Sequence, residues 1–173
     1  GANNSALGQG ALSNNTTGTR NTAVGRNAGS SITTGGYNVL LGHQTGDSLT
    51  DQSFDIGIGD STMGDATCSQ SVGVGQEALQ SSTGTNNIGI GHQGGRYNSS
   101  GTQNVFVGAF SGTGVDGSTT ASDSTAVGYN TLNDLTTGID TKSLENSRSN
   151  LFDKAINNVS INNKPQGGES KGI

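Results

Sequence analysis

Asn104-Val105-Phe106-Val107-Gly108 decides the fold: a polar residue, three residues in strand-like alternation, then a glycine. The phrase recurs eight times, closing at Gly8, Gly25, Gly42, Gly59, Gly75, Gly91, Gly108 and Gly128, with spacings of 17, 17, 17, 16, 16, 17 and 20 residues. Self-similarity at a short, near-constant period belongs to a solenoid, in which each unit is one coil and no unit is stable alone.

Aligned on the glycine, the preceding residue is Leu7, Val24, Leu41, Ile58, Val74, Ile90, Val107 and Val127, a branched aliphatic in every unit. Three before the glycine stand Ser5, Thr22, Val39, Ile56, Val72, Ile88, Val105 and Thr125. Strand side chains alternate with period two, so these two columns share a face, and their bulk marks that face as the core. The column between them is mostly tiny: Ala6, Ala23, Leu40, Gly57, Gly73, Gly89, Phe106 and Ala126. Glycine inside a strand marks a close approach of another backbone. This reading nominates Leu40, Gly57, Gly73, Gly89 and Phe106 as an interface between chains. A coil this thin in apolar side chains gains little burial against the entropy of ordering its backbone, which also argues for partner chains.

After each glycine comes a second apolar spot, as in Ala11-Leu12, Ala28, Met63, Ala78-Leu79 and Leu132, expected to form the other strand of each coil. Turns follow at Thr16-Thr17-Gly18, Thr33-Thr34-Gly35, Ser82-Thr83-Gly84, Ser99-Ser100-Gly101 and Thr136-Thr137-Gly138. There glycine is expected to supply positive φ. Asp47 to Ser53 lacks the Thr-Gly turn, and extra residues around Val115-Asp116-Gly117-Ser118 predict a longer loop. The chain divides into a β-roll repeat domain over 1–138, a neck or short helix over 139–159, and an extended tail over 160–173. The neck rests on the 3–4 spacing of Leu144, Leu151, Phe152, Ala155, Ile156 and Val159. The fold class is all-β, a parallel β-roll of about eight 16–17-residue coils with a short helical or extended neck.

Only 28% of the chain is hydrophobic, too little for a conventional globular core. A net charge of −5 with no basic cluster gives no footprint for nucleic acid, and no apolar run approaches the ~20 residues of a membrane span. Cys68 is the only cysteine, which leaves neither an intrachain disulfide nor a multi-cysteine zinc site. Gly89-Ile90-Gly91-His92-Gln93-Gly94 matches a dinucleotide fingerprint in letters alone, since its glycines belong to the repeat. His43 and His92 lie three coils apart and cannot share a metal within one chain. The reading assigns no catalytic residue, no metal and no cofactor, and a non-enzymatic role.

The phrases Asn21-Thr22-Ala23-Val24-Gly25, Asn104-Val105-Phe106-Val107-Gly108 and Ser124-Thr125-Ala126-Val127-Gly128 resemble the head repeats of trimeric autotransporter adhesins of the YadA type. The 16–17 period, with Thr-Thr-Gly turns and Asn-Ala or Glu-Ala-Leu after the glycine, is even more similar to repeats of phage tail-fibre and other virion appendage proteins. The resemblance covers roughly residues 3 to 138. It implies a left-handed β-roll, a homotrimer, and a place on a virion surface or outside a bacterial cell. The expected function is a virion fibre segment contacting a host-surface glycan or protein beside other virion proteins; the alternative is an adhesin head on a bacterial surface. Recognition is expected on turns and loops. The candidates are Arg96, Tyr97 and Asn98, where an aromatic and a guanidinium interrupt small polar residues, and Val115, Asp116 and Ser118 in the enlarged loop.

Overall fold

Each repeat phrase contributes one short strand, and the strands stack in chain order. The computed structural model describes residues 1–114, 119–133, 137 and 142–143. The strands are β1 (Ser5–Leu7), β2 (Thr22–Val24), β3 (Val39–Leu41), β4 (Ile56–Ile58), β5 (Val72–Val74), β6 (Ile88–Ile90), β7 (Val105–Val107), β8 (Thr125–Val127) and β9 (Lys142–Ser143). They form one parallel sheet in sequential order, with every repeat position paired to its counterpart in the next coil, as in Val39↔Ile56 and Leu41↔Ile58. The chain is therefore an all-β solenoid.

The sequence reading ends the roll at 138, but the ladder runs one rung further, with Thr125↔Lys142 and Ala126↔Ser143 in register. Ladder pairing uses main-chain groups alone, so Lys142 and Ser143 extend it without the apolar residues of the earlier phrases. The rest of the expected neck over 139–159 and the tail over 160–173 lie outside the described residues.

The inside and outside of the strands are the reverse of the sequence expectation. Ala23, Leu40, Phe106 and Ala126 are 0% exposed, and Gly57, Gly73 and Gly89 are buried with them. The flanking aliphatics face out: Val24, Ile56, Ile58, Ile90 and Val127 are all exposed. Leu40, Gly57, Gly73, Gly89 and Phe106 thus belong to the interior of their own chain and do not form a surface for another. The reason is space. The interior of a coil is one side chain wide, and it is filled from the opposite wall by Leu12, Ile32, Leu49, Met63, Leu79 and Leu132.

Volumes on the two walls compensate. A Cβ added at Gly57 would stand 2.7 Å from Thr45 Cγ2 and 3.2 Å from Leu40 Cδ2; at Gly73 it would meet Thr62 Cγ2 at 2.7 Å, and at Gly89 Leu79 Cγ at 2.8 Å. Conversely Phe106 fills the space left by Gly95 and Gly112, whose added Cβ atoms would lie 2.6 Å and 2.1 Å from its ring. Small residues on one wall are there because large ones reach across from the other, at close-packed density.

The opposite wall is not a second strand. Two and four residues after the coil glycine, Asn27, Gln44, Ser61, Met63, Glu77 and Leu79 hold left-handed φ of 50–57°. Alternating handedness curls the segment, yet the main chain still bonds between coils, with Gly29 N–H donating to Thr45 O at 2.9 Å and Leu79 N–H to Gly94 O at 3.0 Å. Positive φ also falls where it was not expected. Gly18, Gly35, Gly84 and Gly101 are not left-handed; an added Cβ at Gly35 would sit 2.1 Å from Gln52 O, so these glycines answer close stacking of turns. The left-handed residue is the one five before the coil glycine: Arg20, Tyr37, Phe54, Gln70, Asn86, Gln103 and Asp123, at φ of 55–65°.

A buried polar column runs beside the strands, four residues before each coil glycine. Each member accepts, on its side-chain oxygen, the N–H of its counterpart in the next coil: Asn38 N–H to Asn21 Oδ1 at 3.0 Å, Asp55 to Asn38 at 2.9 Å, Ser71 to Asp55 at 3.0 Å, Asn87 to Ser71 Oγ at 3.2 Å and Asn104 to Asn87 at 3.0 Å. The asparagines also donate Nδ2 to a turn carbonyl of the next coil, as from Asn21 to Gly35 O at 2.9 Å and Asn104 to Ala121 O at 2.7 Å. The asparagine amides, satisfied on both atoms, are compatible with complete burial.

Truncating Phe106 to Ala should cost about 3–5 kcal/mol, because the ring fills two glycine-lined gaps that rigid backbone cannot close. Denaturant titration checks this; a loss under about 1 kcal/mol would place the ring outside the core.

Candidate functional site

The outward face of the sheet carries a continuous apolar feature of the described chain. In-register pairing turns one aliphatic per coil into a continuous strip formed by Leu7, Val24, Leu41, Ile58, Val74, Ile90, Val107 and Val127. Beside it, from β3 to β7, run Val39, Ile56, Val72, Ile88 and Val105, with Thr22 and Thr125 at the flanks. At ~4.8 Å per strand the eight rungs extend for roughly 34 Å. Parallel sheets are ordinarily covered on both faces, and contiguous apolar patches of this kind mark interaction surfaces.

Two rows of larger side chains border the strip. On the side preceding the strands, Arg20, Tyr37 and Phe54 occupy successive coils at the left-handed position. The Tyr37 and Phe54 rings stack with centroids 4.8 Å apart and planes 12° from parallel. The Arg20 guanidinium lies 5.0 Å over the Tyr37 ring and donates to its hydroxyl. Tyr37 is 45% and Phe54 56% exposed, so stacking and the cation–π contact offset the strain of large residues at positive φ. On the side following the strands, His43 Nδ1 lies 2.7 Å from Asp60 Oδ1, both half exposed, and Phe110 meets His92 and Tyr129 edge to face at 4.9 and 5.9 Å.

The sequence-nominated recognition residues fare differently. Arg96 is clamped: Nη1 lies 2.8 Å from Glu77 Oε2, Nε donates to Gln80 Oε1 at 2.8 Å, and the guanidinium covers the Tyr97 ring at 4.7 Å. Gln93 donates to the same Glu77 oxygen at 2.8 Å. Asn98 is fully buried, with Nδ2 on Gly101 O at 3.0 Å, which removes it from any contact surface. The cluster ties neighbouring coils together along the turn. Val115, Asp116 and Ser118 lie outside the described residues.

Cys68 is buried beside Asp55, and burial, with the Asp55 charge second, pushes its thiol up to about 12, so it stays protonated and unreactive. Burial likewise raises the Asp47 carboxyl. Among the described residues no group of three His, Cys, Asp or Glu is placed to hold a metal ion, and no helix is long and apolar enough to cross a membrane. Comparison with protein-family models, with curated proteins and with solved structures finds no match to the chain.

The apolar strip was legible as eight aliphatic positions, but on the wrong side of the strand. The signal that locates it is the compensation between walls: Leu40 with Gly46, Gly57 with Met63, Gly73 with Leu79 and Phe106 with Gly112 pair large with small at a separation of six residues. Only residues sharing an interior need such pairing.

The Arg96–Glu77 pair is about a quarter exposed on each side. Glu77→Gln should therefore lower stability by about 1 kcal/mol or less at low salt, and the difference should shrink in concentrated salt. Paired thermal melts at two ionic strengths check this.

Proposed function

We propose that the chain is a structural, non-enzymatic segment of an extended surface appendage, assembled from copies of itself through the outward strand face. The supporting observation is the aliphatic strip, which a parallel sheet in water leaves costly to expose. A fibre segment needs rigidity along one axis and self-adhesion across it; the coil ladder supplies the first and the strip the second. The resemblance to adhesin heads and virion appendage repeats adds trimeric, left-handed assembly and contact with a host-surface glycan or protein. Recognition then falls to the turns and exposed borders, since the strip is taken up between copies.

Sedimentation of the wild-type chain against Ile58→Asp/Ile90→Asp tests the reading. Both residues are 38% exposed and point away from the core, so the variant should keep its β circular dichroism while dissociating to monomer. An aspartate pair buried in each protomer contact would carry an unpaired-charge penalty of several kcal/mol. A wild-type chain that is monomeric at micromolar concentration, or a variant that assembles unchanged, would overturn the strip as the assembly surface.

A further inference from the structure

One buried carboxylate stands apart from the assembly surface and breaks the pattern of the polar column it belongs to. In the polar column, Asn4, Asn21, Asn38, Asn87 and Asn104 each accept from the next coil with Oδ1 and donate with Nδ2. Ser71 does both with one hydroxyl, accepting from Asn87 N–H and donating to Ser69 O at 3.1 Å. Asp55 is in the same column, 0% exposed, and its Oδ1 accepts from Ser71 N–H at 3.0 Å. Its Oδ2, which occupies the place of an amide nitrogen, has no partner. The carbonyl that receives the amide in the other coils stands seven residues before the next coil glycine, at Gly35, Gln52, Gly101 and Ala121. Ahead of Gly75 that residue is Cys68.

We propose that Asp55 is a proton-operated latch at the middle of the stack: protonated, its Oδ2–H replaces the missing amide donor and closes the column onto the Cys68 carbonyl; ionised, it leaves the column open at that coil. An ionised carboxylate accepts only, and the Cys68 carbonyl, which the register of the other coils sets opposite it, cannot donate, so the ionised form has no hydrogen bond to make there and the two oxygens repel. Burial, which outweighs the opposing hydrogen bond from Ser71, raises the Asp55 carboxyl to about 7. The groups packed around it are the Asn38 amide from the preceding coil and Ser71 and Cys68 from the next; of these only the thiol titrates, far above this range. No cation among them holds the carboxylate in its charged form.

The direction with pH follows. Unfolded Asp55 loses its proton near its ordinary value of 3.8, the folded residue near 7, so between these the folded chain holds more protons. Stability then falls as pH rises through that window and levels off above it. The latch is shut in mildly acidic surroundings and released at alkaline pH, with β4 and β5 the coils that loosen.

Thermal melts of the wild type and Asp55→Asn from about pH 4 to about pH 8.5 test this. The amide keeps the donor at every pH, so the variant should melt about 5 °C or more above the wild type at alkaline pH, and the gap should close toward acid. Any common drift, including that from Asp47, cancels in the difference. Carbon-13 labelling of the Asp55 carboxyl in the folded wild type should show a titration midpoint well above the ordinary aspartate range. A melting difference independent of pH, or an Asp55 midpoint in the ordinary range, would overturn the latch.

Discussion

Everything in this chain hangs on the main-chain ladder between successive coils. The coils meet in register at strand, corner and turn, so N–H and C=O groups are satisfied by the neighbouring coil nearly all the way round: Gly25 N–H on Leu7 O, Tyr37 N–H on Thr19 O and Leu12 N–H on Ala28 O are three points of one circuit. That allows a chain so poor in apolar residues to order itself, since net hydrogen-bond gains of about 1 kcal/mol apiece recur at every level of the stack. The buried polar column carries the same principle into side chains. Asparagine suits it because one amide both accepts and donates, and replacing it by aspartate changes an atom without changing a shape.

The ladder also dictates which residues the coil can hold. Stacking at strand spacing brings the coil glycines so near one another that an added Cβ at Gly42 would lie 2.2 Å from Gly59 O. It forces left-handed conformation on one non-glycine residue ahead of each of β1 to β8, and the chain places Arg20, Tyr37 and Phe54 there in sequence. Their side chains then stack at 4.8 Å because the backbone has already set that interval. Aromatic stacking here follows from the ladder and contributes to it locally.

The period, the strands and their parallel succession were legible in the sequence, because a glycine that must recur cannot be hidden by composition. Which face of the strand is inside was not. Size is a sound guide to burial in a thick core, where bulk fills space, and it pointed to Val24, Ile58 and Ile90. In a coil whose interior is one side chain deep, bulk on one wall excludes bulk on the other, and glycine becomes an interior residue. The buried column of Asn21, Asn38, Asn87 and Asn104 was legible only as the first letter of each phrase, because nothing in one repeat reveals that its amide bonds to the next. Two of the recognition candidates were misjudged for a related reason: Asn98 is buried, and Arg96 looks free along the sequence, but Glu77 and Gln80 lie beside it in the coil before.

The compensation between walls has a bearing on how such a chain can change its length. A repeat fold looks modular, as though any 17-residue unit could be duplicated or lost without harm, and the main-chain ladder would accept either edit. The interior would not. The coil holding Gly89 and Gly95 is empty on both walls and is filled by Leu79 from one side and Phe106 from the other, so it has no volume of its own. Lengthening or shortening the stack at that point leaves a void or a collision unless the flanking coils move with it. The natural unit of growth there is a block of three coils, and the inheritable module is larger than the repeat that spells it.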